Sequence, residues 1–465
     1  MKRTFLFAFA LTLPVFAQSI DRTKPPETPP LAPFKLPPVN ETKLPNGLTV
    51  VIVEDRRFPL VTFRLGFPAG SKFDPKELPG LSETAASLLK EGTKTRNSRQ
   101  VAEELATIGA SLSATATSDS MILSGNVLSD NTGRMLELLA DVARNANFPD
   151  EEVTLRKQNR IQELMAERSQ PSVLADEKLY ETVYGDHPYA RFLPTPAAIE
   201  KIDRETLTAF RDKHVLPNTG VLILMGDVPA RETLLAAVRS RFGDWERKPA
   251  PEQPAANFPE PKRSIVLVDR PGSVQADVRA GKLAVPRVHP DYFPLLVGNN
   301  VLGGGASSRM FMNIREKQGF AYDAHSELHR QKDAALFHAV TQVRNEVVEP
   351  ALEALFSEMN GMGEKPVPAP ELTAVKNFLN GVFVIGLETQ AGIANELSNV
   401  RLMGLPDDYL ETYVTRVRST EPDKIQSAAK KYISPQNATI VVVGDAEKIR
   451  KQVEKFGPVK VEKSQ

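Results

Sequence analysis

The chain has 465 residues, 41% of them hydrophobic and 25% charged, with 58 basic side chains against 58 acidic ones. That composition is globular and excludes wholesale disorder, a collagen-like fibre and a multi-span membrane protein; the balanced charge points neither to nucleic acid nor to an acidic solvating tail. The sequence holds no cysteine, which removes disulfides, thiolate metal sites, cysteine nucleophiles and iron–sulfur clusters.

At the N-terminus, Lys2 and Arg3 precede an apolar run from Phe5 to Phe16, and Val15-Phe16-Ala17 looks like a small-residue cleavage site. This is the pattern of a secretory signal peptide over residues 1–17, too short for a stable span. Its removal leaves 56 basic against 58 acidic residues. The mature protein is expected to be periplasmic or secreted, with no membrane span. Residues 18–38 then carry Pro25, Pro26, Pro29, Pro30, Pro33, Pro37 and Pro38. Such a stretch favours extended conformations and reads as a tether.

Two bodies of similar size follow, over 39–246 and 263–465. A Pro-rich linker over 247–262, with Pro249, Pro251, Pro254, Pro259 and Pro261, joins them. The first body opens with a β-branched strand candidate, Leu48–Glu54. It continues with an amphipathic helix carrying Met135, Leu136, Leu138, Leu139, Val142 and Ala143 on one face, and a long charged helix over Glu151–Arg168. It closes with His214-Val215-Leu216-Pro217-Asn218, an apolar strand Val221–Met225, a Gly226-Asp227 turn and a helix over Ala230–Phe242. The second body opens with the strand Ser264–Asp269 and has helices over Glu371–Glu388 and Glu396–Met403. It closes with Tyr432-Ile433-Ser434-Pro435-Gln436-Asn437, the strand Ile440–Val443, Gly444-Asp445 and a helix over Glu447–Phe456. Matched starts and matched ends, with Gly226 and Gly444 spaced 218 residues apart, indicate an internal duplication. Strands cluster around helix pairs without βαβ alternation. The expected fold is therefore α+β: two duplicated domains, each a mostly antiparallel sheet with helices packed on one face.

Within the second body, Gly303-Gly304-Gly305 is a flexible run before a helix over Arg309–Lys317. It is no phosphate loop, because no G-K-[ST] follows. His325, Glu327 and His329 form the one ligand-rich cluster. On a strand they share a face, opposite to Tyr322, Ala324, Ser326 and Leu328. The H-x-E-x-H spacing matches neither zincin pattern, so a solvated polar strand face is expected there and no metal. His187, His214, His289 and His338 show no catalytic companions. The sequence has no G-x-S-x-G elbow, Walker loop or dinucleotide fingerprint.

The frame Gly80-Leu81-Ser82-Glu83-Thr84-Ala85-Ala86-Ser87-Leu88-Leu89-Lys90-Glu91-Gly92-Thr93 resembles the insulinase/pitrilysin-type zinc peptidases, whose inverted H-x-x-E-H motif lies between the same Gly and Gly-Thr brackets. Further resemblance comes from Leu44-Pro45-Asn46-Gly47-Leu48, His187-Pro188-Tyr189, Pro271–Gln275, Gly303–Arg309, Ile314–Lys317 and Ala321-Tyr322, in order over about residues 40–460. In that family two His at i and i+4 share one zinc, the intervening Glu takes a proton from the bound water, and a Glu on the next long helix completes the ligands. Here Glu83 and Ser87 stand at the His positions, Ala86 at the base position and Glu163 at the third-ligand position. Both imidazoles and the base are gone, so no catalytic metal is expected in this chain. Ala85, Ala86, Leu88 and Leu89 read as core contacts. The resemblance also implies that Arg315 and Tyr322 match an Arg/Tyr pair which, in two-chain bacterial members, one subunit presents to the zinc-bearing other. It further implies that Gly303, Gly304 and Gly305 border a substrate chamber.

The expected function is that of a non-catalytic subunit. Paired with a homologue bearing H-x-x-E-H, which supplies the zinc, it would contribute Arg315 and Tyr322 to hydrolysis of unfolded peptides. The alternative is an inert peptide-binding or scaffold protein of the same family. A third reading, an enzyme acting through the His325 cluster, has less support.

Overall fold

Each apolar run that reads as a buried strand lies at the centre of one of two six-stranded sheets in the computed structural model, which describes residues 35–464. The signal pattern over 1–17 and all but the last four residues of the tether lie outside the described residues. The first half comprises β1 (Val39–Lys43), β2 (Thr49–Glu54), β3 (Leu60–Phe67), α1 (Leu81–Leu88), α2 (Ser98–Thr107), β4 (Ser113–Ala116) and β5 (Met121–Leu128). Then come α3 (Thr132–Asn145), α4 (Asp150–Arg168), α5 (Pro171–Tyr184), α6 (Pro196–Glu200), α7 (Arg204–His214), β6 (Val221–Gly226) and α8 (Arg231–Phe242). Residues 246–263 carry no helix or strand. The second half comprises β7 (Ser264–Asp269), β8 (Gln275–Ala284), α9 (Tyr292–Gly303), a π-helical segment (Phe311–Lys317), β9 (Ala321–His329) and β10 (Ala335–Arg344). Then come α10 (Val348–Glu364), α11 (Ala369–Gly386), α12 (Gln390–Met403), α13 (Tyr409–Arg418), α14 (Pro422–Tyr432), β11 (Thr439–Gly444), α15 (Ala446–Val453) and β12 (Val459–Lys463).

The sheet orders are β1-β2-β6-β3-β5-β4 and β12-β7-β11-β8-β10-β9. Five strands of each sheet correspond one to one, which is the duplication read from the repeat. In both, the late apolar strand enters the middle: β6 runs parallel to β2 and antiparallel to β3, and β11 runs parallel to β7 and antiparallel to β8. Every residue of β6 and β11 is buried, as continuous apolar runs without alternation require. The halves differ at one edge. The N-terminal strand β1 pairs antiparallel with β2, whereas the C-terminal strand β12 pairs parallel with β7.

Each half's own helices cover one sheet face, and the other face is covered by a helix from the opposite half. α5 lies on β8 and β11, and α12 lies on β3 and β6. Leu179 and Tyr184 share a core with Val266, Val441 and Val443. Ile393, Leu397 and Val400 share one with Val51, Ile223 and Met225. Burial of each such side chain contributes about 1.5–3 kcal/mol. The crossings need glycine. A Cβ on Gly66 of β3 would stand 2.7 Å from Leu402, and one on Gly281 of β8 would stand 2.8 Å from the His338 Cβ and 3.1 Å from Leu179. A buried charge network adds to the seam: the Lys72 ammonium lies 3.0 Å from Asp119 and 3.1 Å from Asp333, and the Tyr189 hydroxyl donates to both carboxylates. Lys72 is almost wholly enclosed, and the two carboxylates face its ammonium there.

Candidate functional site

Helix α1 starts at Gly80, which has φ +92°. The Asp74 carboxylate caps the turn, accepting from the N–H groups of Gly80 at 2.8 Å and Ser82 at 2.9 Å. Leu81, Ala85, Ala86 and Leu88 face the core, and Leu89 is buried as well, so the expected core role of these side chains holds. Ala86 has no solvent-facing surface from which a base could act. Ser87 Oγ donates back to the Thr84 carbonyl at 2.9 Å, which engages its hydroxyl within the helix.

Glu83 and Glu163 do meet across α1 and α4, but two guanidinium groups hold them. Arg156 donates to Glu83 Oε1 at 3.2 Å and to Glu163 Oε1 at 3.2 Å. Arg160 lies 3.2 Å from Glu83 Oε1, 3.5 Å from Glu163 Oε2 and 2.9 Å from Glu167 Oε1. Burial works against the Arg160 charge, and Glu167, Glu83 and Glu163 more than offset it, so its pKa is raised. Three carboxylates and two fixed cations leave a net charge of −1 (−3 + 2), already hydrogen-bonded. A zinc ion does not fit this donor set: no imidazole is present, and each of the three carboxylates already has an oxygen engaged by arginine. The arginines were legible in the sequence only as a charge pattern, Arg156/Glu163 and Arg160/Glu167 at i,i+7; that they also meet Glu83 depends on α4 lying against α1.

The sequence-predicted pair Arg315 and Tyr322 comes together. The Arg315 guanidinium lies 4.6 Å from the Phe311 ring centroid and 4.8 Å from that of Tyr322, so it stacks between two rings. Among the described residues it forms an ion pair with the neighbouring Glu316, at 3.4 Å. Tyr322 is 84% exposed. The expected α-helix over Arg309–Lys317 is π-helical from Phe311 onward, a widened turn often found at functional positions. A bidentate Arg309–Glu371 pair, at 2.9 and 2.8 Å, ties its start to α11.

The three glycines differ. A Cβ on Gly303 would sit 2.2 Å from the Ser326 N, one on Gly304 would sit 2.5 Å from the Asn300 side chain, and one on Gly305 would meet nothing within 4 Å. Gly303 is therefore required by the approach of β9, the chain's own strand.

His325, Glu327 and His329 lie on one face of β9, as the alternation predicts, with Ala324 and Ser326 buried on the other. The face is not the simple solvated one expected, because His338 of β10, directly opposite Glu327 in the register, is buried beside it. Reading the sequence left His338 without companions; pairing of β9 with β10 supplies them. Glu327 Oε2 lies 3.0 Å from His329 Nε2 and 3.2 Å from His338 Nε2, and the two Nε2 atoms are 3.0 Å apart. The three imidazoles hold the Glu327 carboxyl well below the ordinary carboxylate range, that of His325 most strongly.

Comparison with known proteins places these features. Residues 49–197 match the model of the insulinase family (peptidase family M16), and residues 201–379 match that of the peptidase M16 inactive domain. An uncharacterized zinc protease of Rickettsia felis is 28% identical over 418 residues, spanning 87% of this chain and 98% of that protein. One from Streptomyces coelicolor is 24% identical, spanning 87% and 89%. A crystal structure of a peptidase M16 inactive domain from Pseudomonas fluorescens superimposes with a TM-score of 0.81 at 26% identity, covering 88% of this chain and 98% of that one. A protease from Helicobacter pylori shares the fold, with a TM-score of 0.80 at 19% identity over 88% of this chain and 100% of that one.

Proposed function

We propose, from the premise that this chain belongs to the insulinase-type peptidase family M16, that it is a non-catalytic subunit which lends Arg315 and Tyr322 to the zinc site of a homologous partner. The observation that carries this reading is the contrast between the two stations: Arg156 and Arg160 pair with the carboxylates of the degenerate motif, whereas Arg315 and Tyr322 are stacked, with Tyr322 turned outward. Buried against Phe311 on one side, the guanidinium keeps its forked donors in a fixed plane. With the Tyr322 hydroxyl beside it, the pair can orient a peptide carbonyl and stabilise the oxyanion that develops as it is attacked. The zinc belongs to the partner, which would carry an intact H-x-x-E-H. Exposed apolar side chains on α4 (Leu155, Met165) and α11 (Phe378, Val382, Ile385) suit an unfolded peptide, whose own apolar residues are accessible. The N-terminal signal pattern supports a location beyond the inner membrane, and no described helix is long and apolar enough to cross one.

The test is capture of the tagged mature chain from its own cell envelope, followed by cleavage of a quenched peptide. The reading expects co-purification of an H-x-x-E-H homologue, chelator-sensitive cleavage by the pair and none by this chain alone. A solitary chain whose mixtures with every such homologue stay inactive would point instead to a peptide-binding or scaffold protein.

A further inference from the structure

We propose that Glu327, His329 and His338 form a binding site for a divalent transition metal of the zinc class, separate from the degenerate motif. Two imidazole Nε2 atoms and one carboxylate oxygen face one another at 3.0, 3.0 and 3.2 Å. A tetrahedral ion with bonds of about 2.0–2.1 Å spaces its ligands roughly 3.3 Å apart. The triangle therefore needs to open by only a few tenths of an ångström. Two imidazoles with one carboxylate select a borderline ion such as zinc over calcium or magnesium, which prefer all-oxygen shells.

Burial adds a second argument. His338 is 3% exposed, and its Nδ1 has no hydrogen-bond partner. Whichever tautomer it adopts, its other nitrogen is aimed at His329 and Glu327, so the ring can satisfy its polarity only inside this triangle. The positions are also held from outside. His325 Nε2 lies 3.3 Å from the second Glu327 oxygen, and Asp323 lies 2.5 Å from His325 Nδ1. This carboxylate–histidine pair orients a ligating carboxylate in the way outer-shell groups orient metal ligands. From the opposite half, the Tyr180 ring packs edge-on against His329 at 5.8 Å. The His329 and Glu327 side chains are 36% and 47% exposed, which gives an ion access from solvent. A bound ion cross-links the edge strand β9 to β10, and β9 is the strand that begins beside Tyr322.

The experiment uses the full mature chain, stripped of metal by chelator, dialysed, and titrated with zinc and with cobalt(II). One equivalent of zinc per chain, a visible cobalt spectrum of tetrahedral type and a raised melting temperature on zinc addition are expected. His329→Ala and Glu327→Gln sit at partly exposed positions and leave the core intact; each should weaken zinc binding by about 100-fold or more, and His325→Ala by about 10-fold. Glu83→Gln combined with Glu163→Gln should leave the stoichiometry unchanged. The proposal is overturned if the folded chain retains no zinc, if His329→Ala and Glu327→Gln bind as the parent does, or if the equivalent disappears with Glu83 and Glu163.

Discussion

In the first half, α1 and α4 close on each other: every acidic group at the old metal station has an arginine from α4 against it. In the second half, the matching stretch from α9 through the π-helix to β9 stays open. There Arg315 is stacked between two rings, with only the neighbouring Glu316 against it at 3.4 Å, and the Tyr322 ring projects from the surface. The two halves share strand order, the central buried strand and the exchanged helix, and differ locally in the π-helical turn at Phe311–Lys317. The partner offered to each cation differs as well. A guanidinium facing two carboxylates is neutralised and serves packing, whereas one sandwiched between rings keeps its donors available.

Exchanging or removing those cations tests the contrast, beginning with the largest effect. Arg315→Ala should lower turnover of the reconstituted pair by about 10²–10³-fold, the usual cost of losing an oxyanion donor, with a smaller loss for Tyr322→Phe; steady-state kinetics on a quenched peptide would read it. Unchanged rates in both variants would erase the distinction drawn here. Acid stability offers the next contrast. His214 ends α7, stacked on Phe210 and tilted against Phe73, whereas its counterpart Tyr432 ends α14 and donates to Asp291 at 3.1 Å. Burial, then the charge of Lys213, lowers the His214 pKa from 6.5 to about 4. The unfolded chain thus takes up this proton first as pH falls. The stability is fully present above pH ~6.5 and is lost progressively toward pH ~4, by up to about 3 kcal/mol. Denaturant unfolding of His214→Phe should lack that component, and identical pH profiles would refute it.

Restoring the motif alone should fail. Glu83→His, Ala86→Glu and Ser87→His together leave Arg156 and Arg160 in place, and a dication cannot share the cavity with two guanidinium groups. Zinc retention should not rise above the parent's in that triple variant. It should rise once Arg156→Leu and Arg160→Leu are added, as metal analysis after dialysis would show. Zinc gained by the triple variant alone would mean that the arginines give way. The smallest effect concerns Arg160→Met. Its partners are 37–47% exposed, so solvent screens the unpaired charges and the loss should be about 1–2 kcal/mol in chemical denaturation.

Much of this was legible before folding was considered. The strand Ser264–Asp269 matches its element residue for residue, and Glu151–Arg168 falls one residue short of α4, because apolar runs and helical periodicity are local signals. Through the family resemblance the sequence also set Glu83 and Ser87 at the His positions and singled out Arg315 and Tyr322; that these two lie together was seen only in the structure. Other features were not legible. The helix exchange of α5 and α12 leaves no local trace, since an apolar helix face reads the same whichever sheet it covers. The widened turn at Phe311–Lys317 also escaped, because residue spacing does not distinguish a π-helix from an α-helix.

By itself the sequence determined the duplicated α+β architecture, because apolar runs and periodicity are local signals; it singled out Glu83, Ala86 and Ser87, and Arg315 and Tyr322, only through the family resemblance. Only the tertiary structure decided that Arg156 and Arg160 occupy the degenerate station and that His338 completes a triangle with Glu327 and His329. Both depend on contacts between segments that sequence spacing does not relate. A helix crossing places α4 against α1, and a cross-strand register sets β10 against β9; a shift of one residue in that register would turn His338 to the other face of the sheet.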